Sequence, residues 1–213
     1  MVVAIDGPAG AGKSTVAREL ALKTGMFYLN SGNFYRAVTL EVLRRGADPK
    51  DSEAITKIAG ECSLSIRHDR LFLNGEDVED LLHTDAVDAW VAEHSAIIPV
   101  RHVVNGHLRR IAKDMDIIVE GRDITTVVFP DAEVKLYLDA SVETRARRRH
   151  EQGVSSLQFT EILENIKKRD HIDRNKPLGS LKQAPDSIYL DTSGLTIHEV
   201  CEKVLEKIRH SKK

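Results

Sequence analysis

The chain alternates between short apolar runs and longer stretches in which apolar residues recur every three or four positions. Five apolar runs lie at residues 1–5, 27–29, 117–119, 134–138 and 188–190. Short apolar runs separated by helical patterns are typical of strands in a parallel sheet that is covered on both faces. The pattern therefore predicts an α/β fold with a five-stranded parallel sheet and helices on both faces.

Two segments carry the clearest helical patterns. The first runs from Lys13 to Leu22. The second begins at a capping-box pair, Thr196 and Glu199. Its apolar residues form one stripe that faces the core, made of Ile197, Val200, Cys201, Val204, Leu205 and Ile208. Since Cys201 lies inside this stripe, we expect it to pack rather than to react.

One segment departs from the alternation of strands and helices. The apolar residues Leu64, Ile66, Leu71 and Leu73 stand at alternate positions on either side of the polar tripeptide at 68–70. This is the pattern of a hairpin with one buried face, and Asn74-Gly75 supplies a further turn. The sequence therefore predicts a small β insert between about residues 60 and 82.

Composition narrows the class of protein. The 213 residues are 41% hydrophobic, which is enough for the core of one domain. The 31 basic and 33 acidic residues leave a net charge of −2, so the chain has no general attraction for nucleic acid or anionic membranes. No apolar run is long enough to cross a bilayer. We therefore expect a protein with no nucleic-acid polymer and no membrane as partner.

The N-terminus and the cysteines favour the cytoplasm. Asp6 follows only five residues, so we expect no signal peptide. Two cysteines, Cys62 and Cys201, fit a reducing compartment better than a disulfide framework. Nine histidines are present, but their spacing matches no transition-metal ligand pattern. We expect a cytoplasmic protein without a transition-metal site. A monomer is the expected oligomeric state.

The strongest motif is Gly7-Pro8-Ala9-Gly10-Ala11-Gly12-Lys13-Ser14, which stands between a predicted strand and a predicted helix. Glycines allow backbone N–H groups to surround a phosphate, and the helix N-terminus adds positive potential. In such a phosphate-binding loop, or P-loop, Lys13 reaches the β- and γ-phosphates of a nucleotide and Ser14 holds Mg²⁺. The alternative is a glycine-rich turn with an exposed lysine.

A P-loop does not identify the phosphate acceptor, because GTPases, ATP-driven switches and small-molecule kinases share it. The guanine signature Asn-Lys-x-Asp is absent from the sequence, since Asn175-Lys176 is followed by Pro177-Leu178. A single arginine on a helix is more often a solvated surface residue. An acceptor that is itself phosphorylated needs several cations to offset its charge beside ATP. Several arginines stand at the ends of predicted elements, where they could serve this purpose: Arg36, Arg101, Arg122, Arg145, Arg148, Arg169 and Arg174.

Several blocks of the sequence resemble bacterial cytidylate kinases. They are residues 7–15, Asn-Ser-Gly-Asn-Phe-Tyr-Arg-Ala-Val at 30–38, Glu-Gly-Arg-Asp-Ile-Thr-Thr-Val-Val-Phe-Pro-Asp-Ala at 120–132 and Arg-Asp-His-Ile-Asp at 169–173. The segment 181–193 fits the same family. The resemblance covers nearly the whole chain, and the 120–132 block is specific within the nucleotide kinases.

The resemblance implies the P-loop nucleoside monophosphate kinase fold, in one kinase domain over residues 1–213. It implies a monophosphate-binding insert at about 60–95 and a lid with its flanking helix at about 145–180. The basic stretch that begins at Arg145 belongs to this lid. Arg147 and Arg149 are equally compatible with a solvated helix face.

The resemblance also assigns site residues. ATP is expected to contact the loop residues Gly7, Pro8, Ala9, Gly10, Ala11, Gly12, Lys13, Ser14 and Thr15, with Lys13, Arg122 and Arg169 as the catalytic cations. Substrate contacts are expected from Ser31, Arg36 and Arg122 to the monophosphate, from Asp123, Ser95 and Arg101 to the base, from Arg169 and Asp173 to the sugar, and from Lys176. A carboxylate suits the cytosine base because the 4-amino group is a donor.

Some of these positions have other interpretations. Tyr35 lies beside the monophosphate residues but is equally compatible with the core. Asp123 next to Arg122 is also compatible with a surface ion pair, and Lys176 with a solvent-facing lysine. Lys176, Thr125 and Asn30 replace an arginine, a glycine and an aspartate that are common in the family.

The function implied by the resemblance is transfer of the γ-phosphoryl group of ATP to CMP or dCMP, with Mg²⁺, to form ADP and CDP or dCDP. The acceptor phosphate is itself an anionic nucleophile, so positioning and charge carry the catalysis. Closure of the lid and the insert would exclude water. The alternatives are a P-loop kinase for UMP or another small metabolite, and a nucleotide-binding regulatory protein.

Overall fold

A computed structural model describes residues 1–153 and 157–211 of the chain. The chain forms two compact units, which we call the first unit (Met1–Asn30 with Ile111–Lys213) and the second unit (Ser31–Arg110). Within the described residues, the strands are β1 (Val2–Asp6), β2 (Phe27–Asn30), β3 (Leu64–Arg67), β4 (Arg70–Leu73), β5 (Glu76–Asp77), β6 (Ile117–Gly121), β7 (Val134–Asp139) and β8 (Ile188–Asp191).

The helices follow the same chain order. They are α1 (Lys13–Thr24), α2 (Ser31–Arg44), α3 (Ser52–Glu61), α4 (Asp85–His94), α5 (Ile98–Ala112), α6 (Val142–Glu151), α7 (Phe159–Asn175) and α8 (Ile197–Ser211). A short 3₁₀-helix at Glu79–Leu81 and a π-helical turn at Ile124–Val128 complete the helical elements of the described residues. In this part of the chain, no helix is long and apolar enough to cross a membrane.

The first unit is built on a five-stranded sheet in the order β2-β6-β1-β7-β8. Every neighbouring pair is parallel, which confirms the predicted α/β fold with five parallel strands. β1 is central because Val3, Ala4 and Ile5 are fully buried and pair with β6 on one side and β7 on the other. The carboxyl end of β1 therefore lies beside those of β6 and β7, where the P-loop begins.

Helices α1 and α8 pack together and bury one face of this sheet. α1 ends at Gly25, whose φ of 71° is left-handed and whose N–H reaches the carbonyl oxygen of Ala21. At the start of α8 the capping box is formed, since Thr196 N donates to Glu199 Oε2 at 2.8 Å and Glu199 N to Thr196 Oγ1 at 3.3 Å. Cys201 is fully buried in the core, as predicted.

The second unit contains α2, α3, α4 and the three-stranded sheet β3-β4-β5. β3 pairs antiparallel with β4, so the predicted hairpin is confirmed, and Asn74-Gly75 turns the chain into the short β5. The buried residues of the hairpin are Leu64, Leu71 and Leu73. The predicted monophosphate-binding insert at about 60–95 lies inside this unit, which begins earlier and extends into α5.

Candidate active site

The P-loop connects β1 to α1. Its glycines are required where neighbouring residues pack closely against the backbone. A Cβ atom at Gly7 would lie 2.0 Å from the carbonyl oxygen of Leu138, and one at Gly10 would lie 2.9 Å from Cβ of Arg145. Gly12 is the N-cap of α1 with a left-handed φ of 87°, and no side chain caps the helix there. The first N–H groups of α1 are therefore available to an anion such as phosphate.

Lys13, the first residue of α1, is buried, and its Nζ donates to the carbonyl oxygen of Pro8 at 2.8 Å. Burial lowers the pKa of Lys13 to about 7. The charges of Arg122 and Arg169 lower it as well, whereas Glu120 acts in the opposite direction. The predicted alternative of an exposed lysine on a glycine-rich turn is wrong, because Lys13 is held among other cations away from water.

The buried charge of Lys13 lowers the stability of the free protein. The pKa of Lys13 is about 7 in the folded protein and 10.5 in the unfolded chain. Between pH 7 and pH 10.5 the unfolded chain therefore binds more protons than the folded protein. We expect Lys13→Met to raise the free energy of unfolding by about 2 kcal/mol at pH 7, after the lost hydrogen bond is counted. The gain is fully present at and below pH 7 and shrinks as the pH rises towards 10.5.

Urea denaturation of the parent and Lys13→Met at pH 7 and pH 9, without nucleotide, measures this difference. Lys167→Met is the matched control, because Lys167 is half exposed and pairs with Glu164 on the same helix. An equal stability difference at both pH values would contradict the inferred pKa of Lys13.

Oxygen atoms of Tyr28 and Glu120 lie near Ser14, the second residue of α1. The hydroxyl of Tyr28 on β2 donates to Oε1 of Glu120 at 2.6 Å and also contacts the hydroxyl of Ser14. Burial and the neighbouring Glu120 raise the pKa of Tyr28, so Tyr28 stays protonated and acts as the donor. Among residues 1–153 and 157–211, no three His, Cys, Asp or Glu side chains cluster as a metal site. Ser14 and Glu120 nevertheless offer the hard oxygens that suit Mg²⁺ when nucleotide phosphates supply the others.

Three charged residues form a buried network in the first unit. Asp173, near the end of α7, accepts from Nε of Arg122 at 2.8 Å and from Nζ of Lys176 at 2.9 Å. Burial acts to raise the pKa of Asp173, but the charges of Arg122 and Lys176 outweigh it and hold the pKa well below its usual range. Only 2% of the Lys176 side chain is exposed, so its interpretation as a solvent-facing lysine is wrong.

Asp123 directly follows Arg122 and is only 4% exposed, which excludes the surface ion pair. Its backbone oxygen accepts from Val127 N at 2.9 Å and from Val128 N at 3.1 Å, at the start of the π-helical turn. The turn itself is fixed from the other side by Asp6 at the end of β1, which accepts from Ile124 N at 2.8 Å. The structure therefore holds the backbone of Asp123 close to the start of the P-loop.

The second unit brings four of the predicted substrate residues into two groups. Arg36 on α2 donates from Nη1 to the carbonyl oxygen of Leu82 at 2.8 Å and from Nη2 to Oδ1 of Asp88. Ser31 starts the same helix and is buried. Arg101 on α5 donates to the backbone oxygen of Ser95 at 2.9 Å, so these two residues are in contact.

Tyr35 is 7% exposed and lies beneath the guanidinium of Arg101, 5.5 Å from the ring centroid. Its hydroxyl contacts Oδ1 of Asn105 at 3.3 Å. Tyr35 thus packs in the interior of the second unit and also supports Arg101 through a cation–π contact.

The basic helix α6, predicted as part of the lid, is anchored at two arginines. Arg145 is buried and makes a bidentate pair with Asp170 of α7, at 3.1 Å and 2.6 Å. It also donates to the carbonyl oxygen of Ala9 in the P-loop at 3.1 Å. Arg148 donates to the backbone oxygen of Thr192 at 2.7 Å. Arg147 is exposed, and residues 154–156 of the predicted lid lie outside the described residues.

Sequence reasoning missed three polar residues that shape this region. Asp6, Glu120 and Asp170 are all buried, and each fixes the side chain or backbone of a site residue. Asp6 and Glu120 could have been identified from the sequence, since each is an acidic residue at the carboxyl end of an apolar strand. Asp170 carried none, because its partner Arg145 stands 25 positions away in the chain.

The chain is similar to known proteins over nearly its full length. The sequence profile of the cytidylate kinase family matches residues 3–210. A cytidylate kinase of Caldanaerobacter subterraneus subsp. tengcongensis is 42% identical over 214 residues, which cover 99% of this chain and 96% of the relative. One from Mycolicibacterium paratuberculosis is 44% identical over 217 residues, with coverages of 98% and 95%.

Two solved structures share the fold at low sequence identity. A shikimate kinase from Bacteroides thetaiotaomicron has a TM-score of 0.50 and 11% identity, over 98% of each chain. A protein from Eubacterium ventriosum has a TM-score of 0.54 and 12% identity, also over 98% of each chain. These two likenesses show the fold alone, an α/β architecture over nearly the whole chain.

Proposed function

Because this chain belongs to the cytidylate kinase family and transfers a phosphoryl group from ATP to CMP, we propose that Lys13, Arg122 and Arg169 are its catalytic cations. The observation that carries this proposal is the burial of Lys13 with the charges of Arg122 and Arg169 acting on it. Like charges gathered in a buried place raise the free energy of the unliganded protein. A multiply charged phosphate ligand would relieve this repulsion.

The P-loop residues 7–15 are proposed to bind the phosphates of ATP. The uncapped N-terminus of α1 supplies N–H donors, and the glycines allow the backbone to approach the ligand. A bound triphosphate would raise the pKa of Lys13 again, so Lys13 is charged in the complex. Ser14 and Glu120 would hold Mg²⁺, which supplies charge neutralisation at the β- and γ-phosphates.

We propose the following contacts to CMP. Ser31, Arg36 and Arg122 would bind the monophosphate. Ser95, Arg101 and Asp123 would bind the base, and Arg169 and Asp173 the sugar. Each carboxylate oxygen of Asp173 already accepts one cation's hydrogen bond, and its remaining lone pairs leave capacity for a sugar hydroxyl. In the free protein Arg36 already donates to Asp88 and to the carbonyl oxygen of Leu82, so the monophosphate would be a further partner.

The transfer step needs no general base. An oxygen of the CMP phosphate attacks the γ-phosphorus of ATP, a new O–P bond forms, and the bond to the β–γ bridging oxygen breaks, which gives CDP and ADP. Lys13, Arg122 and Arg169 would stabilise the charge on the transferred group and on the ADP leaving group.

The acceptor range is part of the proposal. Asp173 and Arg169 are the only proposed sugar contacts, and a 2′-deoxy sugar retains its 3′-hydroxyl, so dCMP is expected as a second substrate. A coupled assay with ATP and a panel of CMP, dCMP, UMP and non-nucleotide acceptors tests it. Turnover of CMP and dCMP above UMP supports the proposal, whereas nucleotide binding without CDP formation would leave only a regulatory role.

We also propose that the protein acts as a monomer in the cytoplasm. The two cysteines, Cys62 and Cys201, are buried and free, and a reducing compartment would keep such thiols reduced. Analytical ultracentrifugation of the parent protein with and without CMP tests the oligomeric state. A dimer at micromolar concentration would overturn this part of the proposal.

Lys176 gives a prediction about the buried charge network. We expect Lys176→Ala to lower kcat/KM for CMP by about tenfold, because Asp173 loses one of its two cations and Arg122 is drawn more strongly towards it. Lys176→Arg keeps the charge and is expected to remain within about tenfold of the parent. Steady-state kinetics at two salt concentrations measure both variants.

The control for Lys176 is Lys182→Ala, since Lys182 is exposed on the following segment. Because the Lys176–Asp173 pair is buried, the loss in Lys176→Ala should be nearly the same at both salt concentrations. Activity of Lys176→Ala equal to that of the parent at low salt would show that Lys176 has no part in substrate binding.

A further inference from the structure

The carboxylate of Asp6 is fully buried at the end of the central strand and accepts three hydrogen bonds. Two come from the backbone, from Ile124 N and Thr125 N, both at 2.8 Å. The third comes from the hydroxyl of Thr125 at 2.6 Å. All three donors belong to the first two residues of the π-helical turn, so a single carboxylate fixes the start of this turn.

This contact joins two functional segments of the first unit. Asp6 directly precedes Gly7 and the P-loop, and Ile124 directly follows Asp123. The backbone oxygen of Asp123 is occupied by Val127 N and Val128 N of the same turn. The position of Asp123 is therefore determined by the turn, and the turn is determined in large part by Asp6.

We propose that Asp6 and Thr125 are positioning residues that orient Asp123 towards the 4-amino group of cytosine, and so help the enzyme to select CMP over UMP. This inference rests on the proposed role of Asp123 as the carboxylate that meets the base. A carboxylate in the wrong orientation loses its hydrogen bond to cytosine, while uracil has no such donor to lose. Neither Asp6 nor Thr125 needs to touch the substrate.

The hydroxyl of Thr125 has a specific part in this arrangement. The two backbone donors remain whatever side chain stands at 125, whereas the third hydrogen bond depends on a hydroxyl. Thr125 is 2% exposed, so no water from bulk solvent replaces that donor when it is removed. Thr126 is the natural comparison, since its hydroxyl is buried and has no hydrogen-bond partner among the described residues.

Protonation of Asp6 gives a second readout. Burial raises the pKa of Asp6 to about 6, and the hydrogen bonds from Thr125 and Ile124 oppose this increase. The other charged and titratable groups that act with Asp6 are Asp123, Lys13 and Tyr137. Loss of the Thr125 hydroxyl should raise the pKa further, so the base selectivity should begin to fall at a higher pH than in the parent.

The test compares Thr125→Val with Thr126→Val, which remove one hydroxyl from neighbouring residues. Dissociation constants of CMP and UMP are measured by calorimetry between pH 5.5 and pH 8 without ATP, and kcat/KM is measured for both substrates. We expect Thr125→Val to reduce the preference for CMP over UMP by about threefold to tenfold. The loss of preference in Thr125→Val should increase towards pH 6. Thr125→Ser should restore the preference for CMP. The control Thr126→Val should behave as the parent.

Further variants separate this inference from the function on which it rests. If Asp123→Ala leaves the CMP-to-UMP ratio unchanged, the role of Asp123 fails and the inference fails with it. If Asp123→Ala lowers the ratio but Thr125→Val does not, only the positioning role of Asp6 and Thr125 is overturned. Equal weakening of CMP and UMP in Thr125→Val would also overturn it. Thr125→Ala is measured in parallel and decides the question if the valine variant does not fold.

Discussion

Replacing Lys13 with alanine is expected to lower the formation of CDP from ATP and CMP by at least about a hundredfold, while the protein remains folded. The N-terminal end of α1 and the neighbouring cations place Lys13 where the β- and γ-phosphates would lie. An electrostatic contact that develops in the transition state contributes several kcal/mol to catalysis. The measurement is kcat and KM for both substrates, together with the thermal unfolding of the variant.

The stability measurement makes the result for Lys13 interpretable. Because the buried charge of Lys13 destabilises the free protein, the variant is expected to unfold at a temperature equal to or above that of the parent. A loss of activity with unchanged or higher stability then reports on catalysis alone. Lys167→Ala, at an exposed position on α7, is expected to retain full activity. Near-parental CDP formation by a folded Lys13→Ala variant would refute the assignment of the P-loop.

The sheet could be predicted from the sequence because its central strands β6, β1 and β7 are largely buried. Residues 117–119 are apolar throughout and residues 134–138 are apolar except for Lys135, and β6 and β7 contain these residues with one or two more at the ends. The additional residues are mainly polar or glycine, such as Asp6 on β1 and Gly121 on β6. Local hydrophobicity does not predict that these residues belong to the strands. Their polar groups are satisfied by hydrogen bonds from segments that are distant in the sequence.

The site residues could be identified more readily than their partners. Arg122 and Asp173 carry motif signals, but their mutual ion pair joins positions 51 apart in the chain. Arg145 was predicted as part of a basic lid, and the sequence gives no sign that Asp170 and the carbonyl of Ala9 bury it. Pairs of this kind depend on how helices α6 and α7 pack against each other, which a pattern within one helix does not report.

The π-helical turn after Asp123 is a further feature without a signal in the sequence. Residues Ile124–Val128 include two threonines and two valines, which by propensity favour a strand. The turn forms because the carboxylate of Asp6 accepts from its first two N–H groups and the carbonyl of Asp123 from later ones. Tertiary hydrogen bonds therefore override local propensity at the segment that carries the proposed base contact.

Replacing Asp123 with alanine is expected to change the choice of base more than the rate of transfer. A hydrogen bond from the 4-amino group of cytosine to a buried carboxylate contributes about 1.5–3 kcal/mol, so kcat/KM for CMP should fall by about tenfold to a hundredfold. Uracil presents an acceptor in the same place, and that acceptor is repelled by the carboxylate. kcat/KM for UMP should therefore stay constant or increase, and competition between CMP and UMP in one assay measures the ratio directly.

Asp123→Asn and Asp131→Ala define what the result for Asp123→Ala means. The amide of asparagine offers both a donor and an acceptor, so Asp123→Asn should lower the preference for CMP while it increases turnover of UMP. Asp131 is an exposed aspartate of the same sequence block, and its replacement by alanine should leave both substrates unaffected. Because Asp123 is buried and its backbone caps the π-helical turn, a purely structural role would weaken CMP and UMP by the same factor. That equal loss would contradict base recognition by Asp123.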